Sequence, residues 1–141
     1  MAEHNILGRE GEDLAQQHLR AKGYRIVETN WRFAGLEVDI IAQKDNVLAI
    51  VEVKTRTSDA LRTPQQAVDA LRQKRLITAA NAYVHHNGLD CDVRMDIIAI
   101  VKNEHECRIE HIENAYQPMV RSARSYNSMT RDALRWGKRR R

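Results

Sequence analysis

The alternation of apolar and polar positions predicts two helices and five strands. Small and apolar residues recur at helical spacing over about residues 9–22, and Gly23 suits the left-handed position that ends a helix. A second helix is predicted over residues 63–85, because Thr63 is a favourable N-cap and Pro64 a favourable first helical residue. Short β-branched and aliphatic runs predict strands over residues 24–29, 38–43, 47–56, 91–101 and 107–112.

The spacing of these elements predicts how the strands pair. Residues 44–46 alone separate the second strand from the third, which favours an antiparallel hairpin because a parallel pair needs a long crossover. The second helix can make such a crossover between the third and fourth strands. We therefore predict an α/β fold of order αβββαββ, a mixed sheet flanked by helices, in one domain over residues 1–118. Residues 30–35 are predicted to be a connection, and residues 119–141 a loosely structured basic tail.

The composition is that of an ordinary soluble protein, with 43% hydrophobic and 30% charged residues. No apolar run is long enough to span a membrane, and the start of the chain lacks the pattern of a secretory signal, so we expect a cytoplasmic protein without membrane association. Cys91 and Cys107 are accordingly expected to be reduced thiols. The net charge of +4 is carried by residues 121–141, whose own charge is +7, so basicity says little about the folded body.

Charged side chains occur inside two of the predicted strands, namely Asp39, Glu52 and Lys54. A buried charge is costly unless it is paired or holds a metal ion. Because side chains alternate along a strand, Glu52 and Lys54 point to the same face of the sheet. Two carboxylates and an ammonium group near one sheet face suit a magnesium-dependent enzyme that cleaves phosphodiester bonds.

Each of these residues also has a purely structural interpretation. Asp39 could accept backbone hydrogen bonds at the end of a strand, and Glu52 and Lys54 could form an ion pair on an exposed face. Glu12 borders the inward face of the first helix, where it could reach a site at the edge of the sheet. It could equally be an acidic first-turn residue that stabilises the helix dipole.

Several short motifs of this chain resemble the YraN-like bacterial proteins, over about residues 8–118. The matching segments are Gly8-Arg9-Glu10-Gly11-Glu12, Gly23-Tyr24, Asn30-Trp31-Arg32, Glu37-Val38-Asp39-Ile40-Ile41-Ala42, Val51-Glu52-Val53-Lys54-Thr55-Arg56, Ala67-Val68, Lys74-Arg75, Arg94-Met95-Asp96 and Glu113-Asn114-Ala115-Tyr116. This family resembles a branch of the PD-(D/E)XK restriction-endonuclease-like superfamily. In layout it is similar to the archaeal Holliday-junction resolvases.

The resemblance implies a catalytic site built from Glu12, Asp39, Glu52 and Lys54. Asp39 and Glu52 would hold Mg²⁺, for which Mn²⁺ can substitute, with the carbonyl of Val53 as a further ligand. Glu12 would bind the metal through water or a second ion. Lys54 would orient the attacking water or stabilise negative charge in the transition state. No small-molecule cofactor is implied.

The resemblance also implies structured or branched DNA as the substrate and a homodimer as the assembly. Four basic residues are the candidates for phosphate contacts: Arg32, Arg56, Lys74 and Arg75. The low aromatic content of 5% favours recognition of the backbone or of shape over base stacking. Two alternatives remain open: a non-catalytic nucleic-acid-binding or adaptor protein on the same fold, and a structural interaction module.

Overall fold

The computed structural model of the protein describes residues 2–58 and 68–117, and side chains from residue 6 onward. The predicted order αβββαββ is confirmed over these described residues, which form two helices and five strands in one mixed sheet. The helices are α1 (Ala2–Ala21) and α2 (Ala70–Asn87). The strands are β1 (Arg25–Phe33), β2 (Leu36–Lys44), β3 (Val47–Arg56), β4 (Asp92–Lys102) and β5 (Cys107–Ile112).

The strands lie in the sheet in their chain order, β1 to β5. β2 pairs with β1 and β3 in antiparallel register, and β4 pairs with β5 in the same sense. β3 and β4 are parallel, with Val47 opposite Asp92 and Arg56 opposite Val101, and α2 lies in the connection between them. The predicted hairpin and the predicted crossover are therefore both confirmed.

Each face of the sheet carries its own apolar core. The core on the α1 side consists of Ala15, Leu19, Tyr24, Ile40, Ala42, Ala49, Val51, Ile98 and Ile100. The core on the α2 side is larger and includes Val38, Ile41, Leu48, Ile50, Val68, Leu76, Ala79, Ala80, Tyr83, Val84, Met95, Ile97 and Tyr116. Burying one such Leu, Ile or Val side chain contributes about 1.5–3 kcal/mol, so the two cores hold both helices against the sheet.

Two predicted element boundaries are wrong because pairing and aromatic packing extend β1. The strand continues to Phe33, through part of the predicted connection at residues 30–35, because Trp31 and Phe33 pair with β2. Their rings stack at 5.8 Å, and Trp31 also meets the Tyr83 ring of α2 edge-on at 5.1 Å. The reversal is confined to Ala34 and Gly35, both at positive φ, as a two-residue hairpin turn requires.

The helix starts also differ from the predictions. α1 begins at Ala2 rather than near residue 9. A continuous helix from residue 63 is wrong, because Val68 and Asp69 are not helical and Asp69 caps α2, accepting a hydrogen bond from the Arg72 backbone N–H at 2.8 Å. Leu71, in the first turn of α2, is 64% exposed.

A buried charged network fastens β4 to its surroundings. Asp96 is fully buried, and its oxygens accept hydrogen bonds from Arg94 Nε and Nη2 at 2.9 Å, from the Asn114 backbone N–H at 3.0 Å, and from the His111 ring at 2.8 Å. Arg94 also donates to the Tyr24 hydroxyl. Burial acts to raise the pKa of Asp96, but the hydrogen bonds from His111 and Arg94 outweigh it and lower the pKa.

Some predictions fall on residues outside those the structure describes. The helix start at Thr63-Pro64 and the tail at residues 119–141 are among them, so the division into domain and tail stays a prediction. Within residues 2–58 and 68–117, neither helix has the length and apolar character needed to cross a membrane. Cys91 and Cys107 are free thiols, as predicted.

Candidate metal centre

The candidate site lies where β2 and β3 stop pairing. Their last paired residues are Ile40 and Val51, and Asp39 lies one residue beyond Ile40. The Asp39 Oδ2 atom accepts a hydrogen bond from the Val53 backbone N–H at 2.8 Å, in place of a main-chain acceptor of β2. The strand-end interpretation of Asp39 is thus part of the observed geometry.

Glu52 is the buried carboxylate of the site, with a side chain that is 4% exposed. It forms a carboxyl–carboxylate hydrogen bond with Asp39. Burial and then the negative charge of Glu52 raise the pKa of Asp39 from an ordinary 3.8 to about 8. The interpretation of Glu52 as one half of an exposed ion pair does not fit this burial.

α1 brings Glu12 to the same place. Gly11 is buried against Thr55 of β3, so closely that a Cβ atom at residue 11 would lie 1.9 Å from the threonine Oγ1. The absence of a side chain at Gly11 lets α1 approach β3 and sets Glu12 beside the first residues of β2. Because α1 begins at Ala2, Glu12 lies about three turns from the helix start, which excludes the first-turn dipole interpretation.

Three carboxylates converge at this point: Glu12, Glu37 and Asp39 each place an oxygen within 4.8 Å of the others. The side-chain amide of Asn30, a residue at positive φ, donates to Glu37 Oε1 at 2.9 Å and to the Glu12 carboxylate at 3.2 and 3.3 Å. The amide thereby holds two of the acids side by side. A set of carboxylate oxygens is the donor set that Mg²⁺ and Mn²⁺ prefer.

Arg72 of α2 is the cation of the site, and sequence reasoning missed it. Its Nε and Nη2 atoms donate to the two oxygens of Glu52 at 2.8 and 3.2 Å, and Nη2 also lies 3.5 Å from the Glu37 carbonyl oxygen. Hydrogen bonding to Glu52 raises the pKa of Arg72. In the sequence, Arg72 is one of several basic residues of a helix, and nothing there connects it with a strand residue twenty positions away.

Glu37 is a further acid of the cluster that sequence reasoning did not select, although a signal for it existed. Residues two apart on a strand share a face, so the spacing of Glu37 and Asp39 indicates that their side chains lie side by side. In the sequence analysis, Glu37 appears only within the segment that resembles the YraN-like proteins. The two acids of that segment stand together in the site.

The remaining predicted residues lie around this cluster. Val53 and Lys54 follow Glu52 on β3 and are half-buried, as is Arg56 at the end of the strand. The Arg32 side chain is 80% exposed and forms an ion pair with Glu37 at 3.2 Å, and Lys74 and Arg75 are exposed on α2. The structure thus brings Glu12, Asp39 and Glu52 together, and the roles of all these residues stay predictions.

Comparison with known proteins identifies relatives over most of the chain. The model of the uncharacterised protein family UPF0102 matches residues 11–100. A UPF0102 protein of Flavobacterium psychrophilum is 53% identical over 116 residues, which cover 82% of this chain and 98% of that protein. A UPF0102 protein of Bacteroides thetaiotaomicron is 45% identical over 118 residues, which cover 84% of this chain and 98% of that protein.

One solved structure is also similar. The crystal structure of SSO0001 aligns with 94% of this chain at 14% sequence identity and a TM-score of 0.40. This chain spans only 61% of the length of that protein. A likeness this weak carries no argument about function.

Proposed function

The chain belongs to the uncharacterised protein family UPF0102, and we propose that it is a metal-dependent endonuclease that hydrolyses phosphodiester bonds in structured or branched DNA. One observation carries the proposal. Carboxylates from three elements, Glu12 on α1, Glu37 and Asp39 on β2, converge to within 4.8 Å, with the buried Glu52 of β3 hydrogen-bonded to Asp39. The resemblance to PD-(D/E)XK nucleases supports the same assignment.

The electrostatics of the cluster support a divalent cation as its ligand. Burial and the charge of Glu52 raise the pKa of Asp39 to about 8, so the described side chains, including Arg72 on Glu52, do not offset the charge of this carboxyl group. A divalent ion stabilises the ionised form of such a group and displaces its proton. When bound, Mg²⁺ or Mn²⁺ polarises a phosphate oxygen and lowers the pKa of a coordinated water.

Within this proposal each residue has a distinct task. Asp39 and Glu52 hold the metal ion, the carbonyl of Val53 adds an oxygen, and Glu12 with Glu37 completes the set of acids. Lys54 lies on the same face of β3 as Glu52, where an ammonium group orients the attacking water or stabilises charge on the phosphate.

DNA is the proposed substrate because the cations around the cluster are placed for phosphate contacts. Lys74 and Arg75 are exposed on α2, the helix whose first turn supplies Arg72 to the site, and Arg32 is exposed on β1. Such contacts fix a protein on nucleic acid without reading sequence, as recognition of branched DNA by its shape requires. A homodimer, proposed on the resemblance to resolvases, would present two such sites to one junction.

The test is cleavage of a panel of single-stranded, duplex, flap and four-way-junction DNA with Mg²⁺ or Mn²⁺. We expect wild type to cut one branched substrate, and Asp39→Asn and Lys54→Ala to lose at least about a hundredfold in rate, the size of one electrostatic catalytic group. Asp45→Asn is the matched control, because Asp45 is exposed in the β2–β3 turn at positive φ, which asparagine also adopts. Cleavage that persists in Asp39→Asn would exclude this site.

The Arg72–Glu52 pair favours a second function, that of a DNA-binding adaptor on the same fold. A protein cation already neutralises Glu52, so the site could be a structural ion pair with no bound metal. In that case, DNA binding should be equally tight with EDTA or Mg²⁺ and should survive Asp39→Asn. No substrate of the panel should then be cut.

A further inference from the structure

Arg72 occupies both carboxylate oxygens of Glu52, the atoms through which Glu52 would bind a metal ion. Its guanidinium binds Glu52 through both oxygens, at 2.8 and 3.2 Å, in the fork geometry that gives strong carboxylate pairing. Glu52 is nearly fully buried, so the guanidinium replaces much of the water that its charge has lost. Glu52 is therefore bound by an internal cation.

That internal cation is positioned to leave. The Arg72 side chain is 34% exposed, in contrast to the 4% of Glu52, so part of this side chain already faces solvent. Its backbone is anchored in the first turn of α2 by the Asp69 cap, which leaves the long side chain as the movable part. Lys74 and Arg75 follow it on the helix and are exposed, so phosphate contacts there would bring DNA close to Arg72.

We propose that Arg72 exchanges partners: it holds Glu52 while the site is metal-free, and binds a phosphate of the DNA once a divalent ion takes Glu52. The inference deepens the proposed nuclease function and rests on it. A guanidinium pairs with a phosphate in the same two-bond geometry as with a carboxylate, so the exchange preserves the kind of interaction. Arg72 is then a positioning residue that makes metal binding and DNA binding depend on each other.

The exchange has a thermodynamic consequence. If Glu52 binds either Arg72 or the metal ion but not both, the metal ion must displace Arg72. This competition weakens metal binding to the protein without DNA. DNA phosphate that captures the displaced guanidinium then strengthens metal binding, and by linkage metal strengthens DNA binding by the same factor. We expect a factor of at least about five, the lower end of common coupling between sites.

The experiment measures both affinities without cleavage. Binding of Mn²⁺ to protein alone is followed by the loss of the free-ion paramagnetic resonance signal. Binding of a fluorescent four-way junction is followed by anisotropy in EDTA or in Ca²⁺, with a denaturing gel to check that the DNA stays intact. The variants are Arg72→Ala, Arg72→Lys, Asp39→Asn, and the control Arg20→Ala, which removes an exposed arginine from the other helix, α1.

We expect Arg72→Ala to bind Mn²⁺ alone at least about fivefold more tightly than wild type and to lose the Ca²⁺ enhancement of DNA binding. Arg72→Lys keeps the positive charge but not the two-bond guanidinium geometry, and it guards against loss of folding. Its Mn²⁺ affinity and its Ca²⁺ enhancement should lie between those of wild type and Arg72→Ala. Arg20→Ala should keep the full enhancement. Weaker Mn²⁺ binding in both Arg72 variants would show that Arg72 only orients Glu52, and would overturn the exchange.

The failure of the exchange is distinguishable from that of the nuclease proposal. The exchange alone is overturned if wild type binds Mn²⁺, Asp39→Asn does not, and Arg72→Ala keeps the coupling between metal and DNA binding unchanged. Absence of Mn²⁺ binding in wild type and in every variant overturns both proposals. Binding that appears only when Arg72 is replaced supports the exchange, because the arginine then excludes the ion in the free protein.

Discussion

Gly11→Ala should displace α1 from the sheet, and Gly8→Ala is its matched control. Both glycines lie in the same helix, so both substitutions gain the same helix propensity, about 1 kcal/mol. A Cβ atom at residue 8 meets nothing within 4 Å, whereas at residue 11 it would lie 1.9 Å from Thr55 Oγ1 and 2.9 Å from Thr55 Cβ. The difference between the two variants therefore isolates the contact between α1 and β3.

Rotation of the Thr55 side chain does not relieve the clash. It moves Oγ1 away, but the position of Cβ is set by the strand backbone, and its 2.9 Å separation stays well below an ordinary contact of about 3.5 Å. Helix and strand must separate by roughly 0.6 Å, the difference between those distances. Overpacking of this kind costs about 1–3 kcal/mol, so we expect Gly11→Ala to be about that much less stable than Gly8→Ala.

The assay is urea unfolding of both variants, followed by Mn²⁺ binding. The stability difference corresponds to a melting temperature roughly 3–10 °C lower for Gly11→Ala. The shift of α1 also moves Glu12 from the Asn30 amide, so Mn²⁺ affinity should fall in Gly11→Ala and not in Gly8→Ala. Equal stability and equal metal affinity in the two variants would refute the argument that this contact positions Glu12.

Three further predictions concern charge. Because the pKa of Asp39 is raised, the contribution of this carboxyl group to stability is complete below pH 3.8 and is lost as pH rises toward about 8. Urea titrations should show this loss in wild type and not in Asp39→Asn. Mn²⁺ binding at pH 7 should release about one proton into a weak buffer. Asp96→Asn should lower the free energy of unfolding in urea by about 3–5 kcal/mol, whereas Asp92→Asn, at an exposed residue, should change it little; equal stability of the two variants would contradict the network. Because the pKa of Asp96 is lowered, its contribution to stability should disappear only in acid, as pH falls below about 4. Lys74→Ala and Arg75→Ala should each reduce the slope of log Kd against log salt for DNA by about one, and unchanged slopes would remove α2 from the interface.

Most of the fold could be predicted because its strands are apolar runs between turn residues. The bounds of β3 and β5, Val47–Arg56 and Cys107–Ile112, agree with the prediction at both ends. β1 could not be bounded, because Asn30 is polar and at positive φ, and the strand is held there by its partner β2 and by the Tyr83 ring of a distant helix. Those stabilising contacts are tertiary and leave no local pattern.

The same distinction separates the site residues that could be predicted from those that could not. Asp39 and Glu52 were found because a charge inside an apolar strand demands an explanation. Arg72 could not be found in this way, because an arginine near a helix start is ordinary. The predicted helix begins at residue 63, which places Arg72 in mid-helix. In the structure Arg72 lies in the first turn of α2, which Asp69 caps, and contacts Glu52 of β3.

Asp96 and Asp39 differ in how the fold compensates their charge, and the difference supports the proposal of a metal site. Asp96, with no exposure, has a lowered pKa because Arg94 and His111 compensate its burial. Asp39 is less buried, yet its pKa is raised to about 8, since burial and the negative charge of Glu52 both act against its ionised form. The fold compensates Asp96 with its own cation and hydrogen bonds, whereas Arg72 donates its hydrogen bonds to Glu52 and the pKa of Asp39 stays raised. A cation that binds from solution would give Asp39 what Arg94 gives Asp96, so the proposal of a metal site accounts for the convergence of these acids.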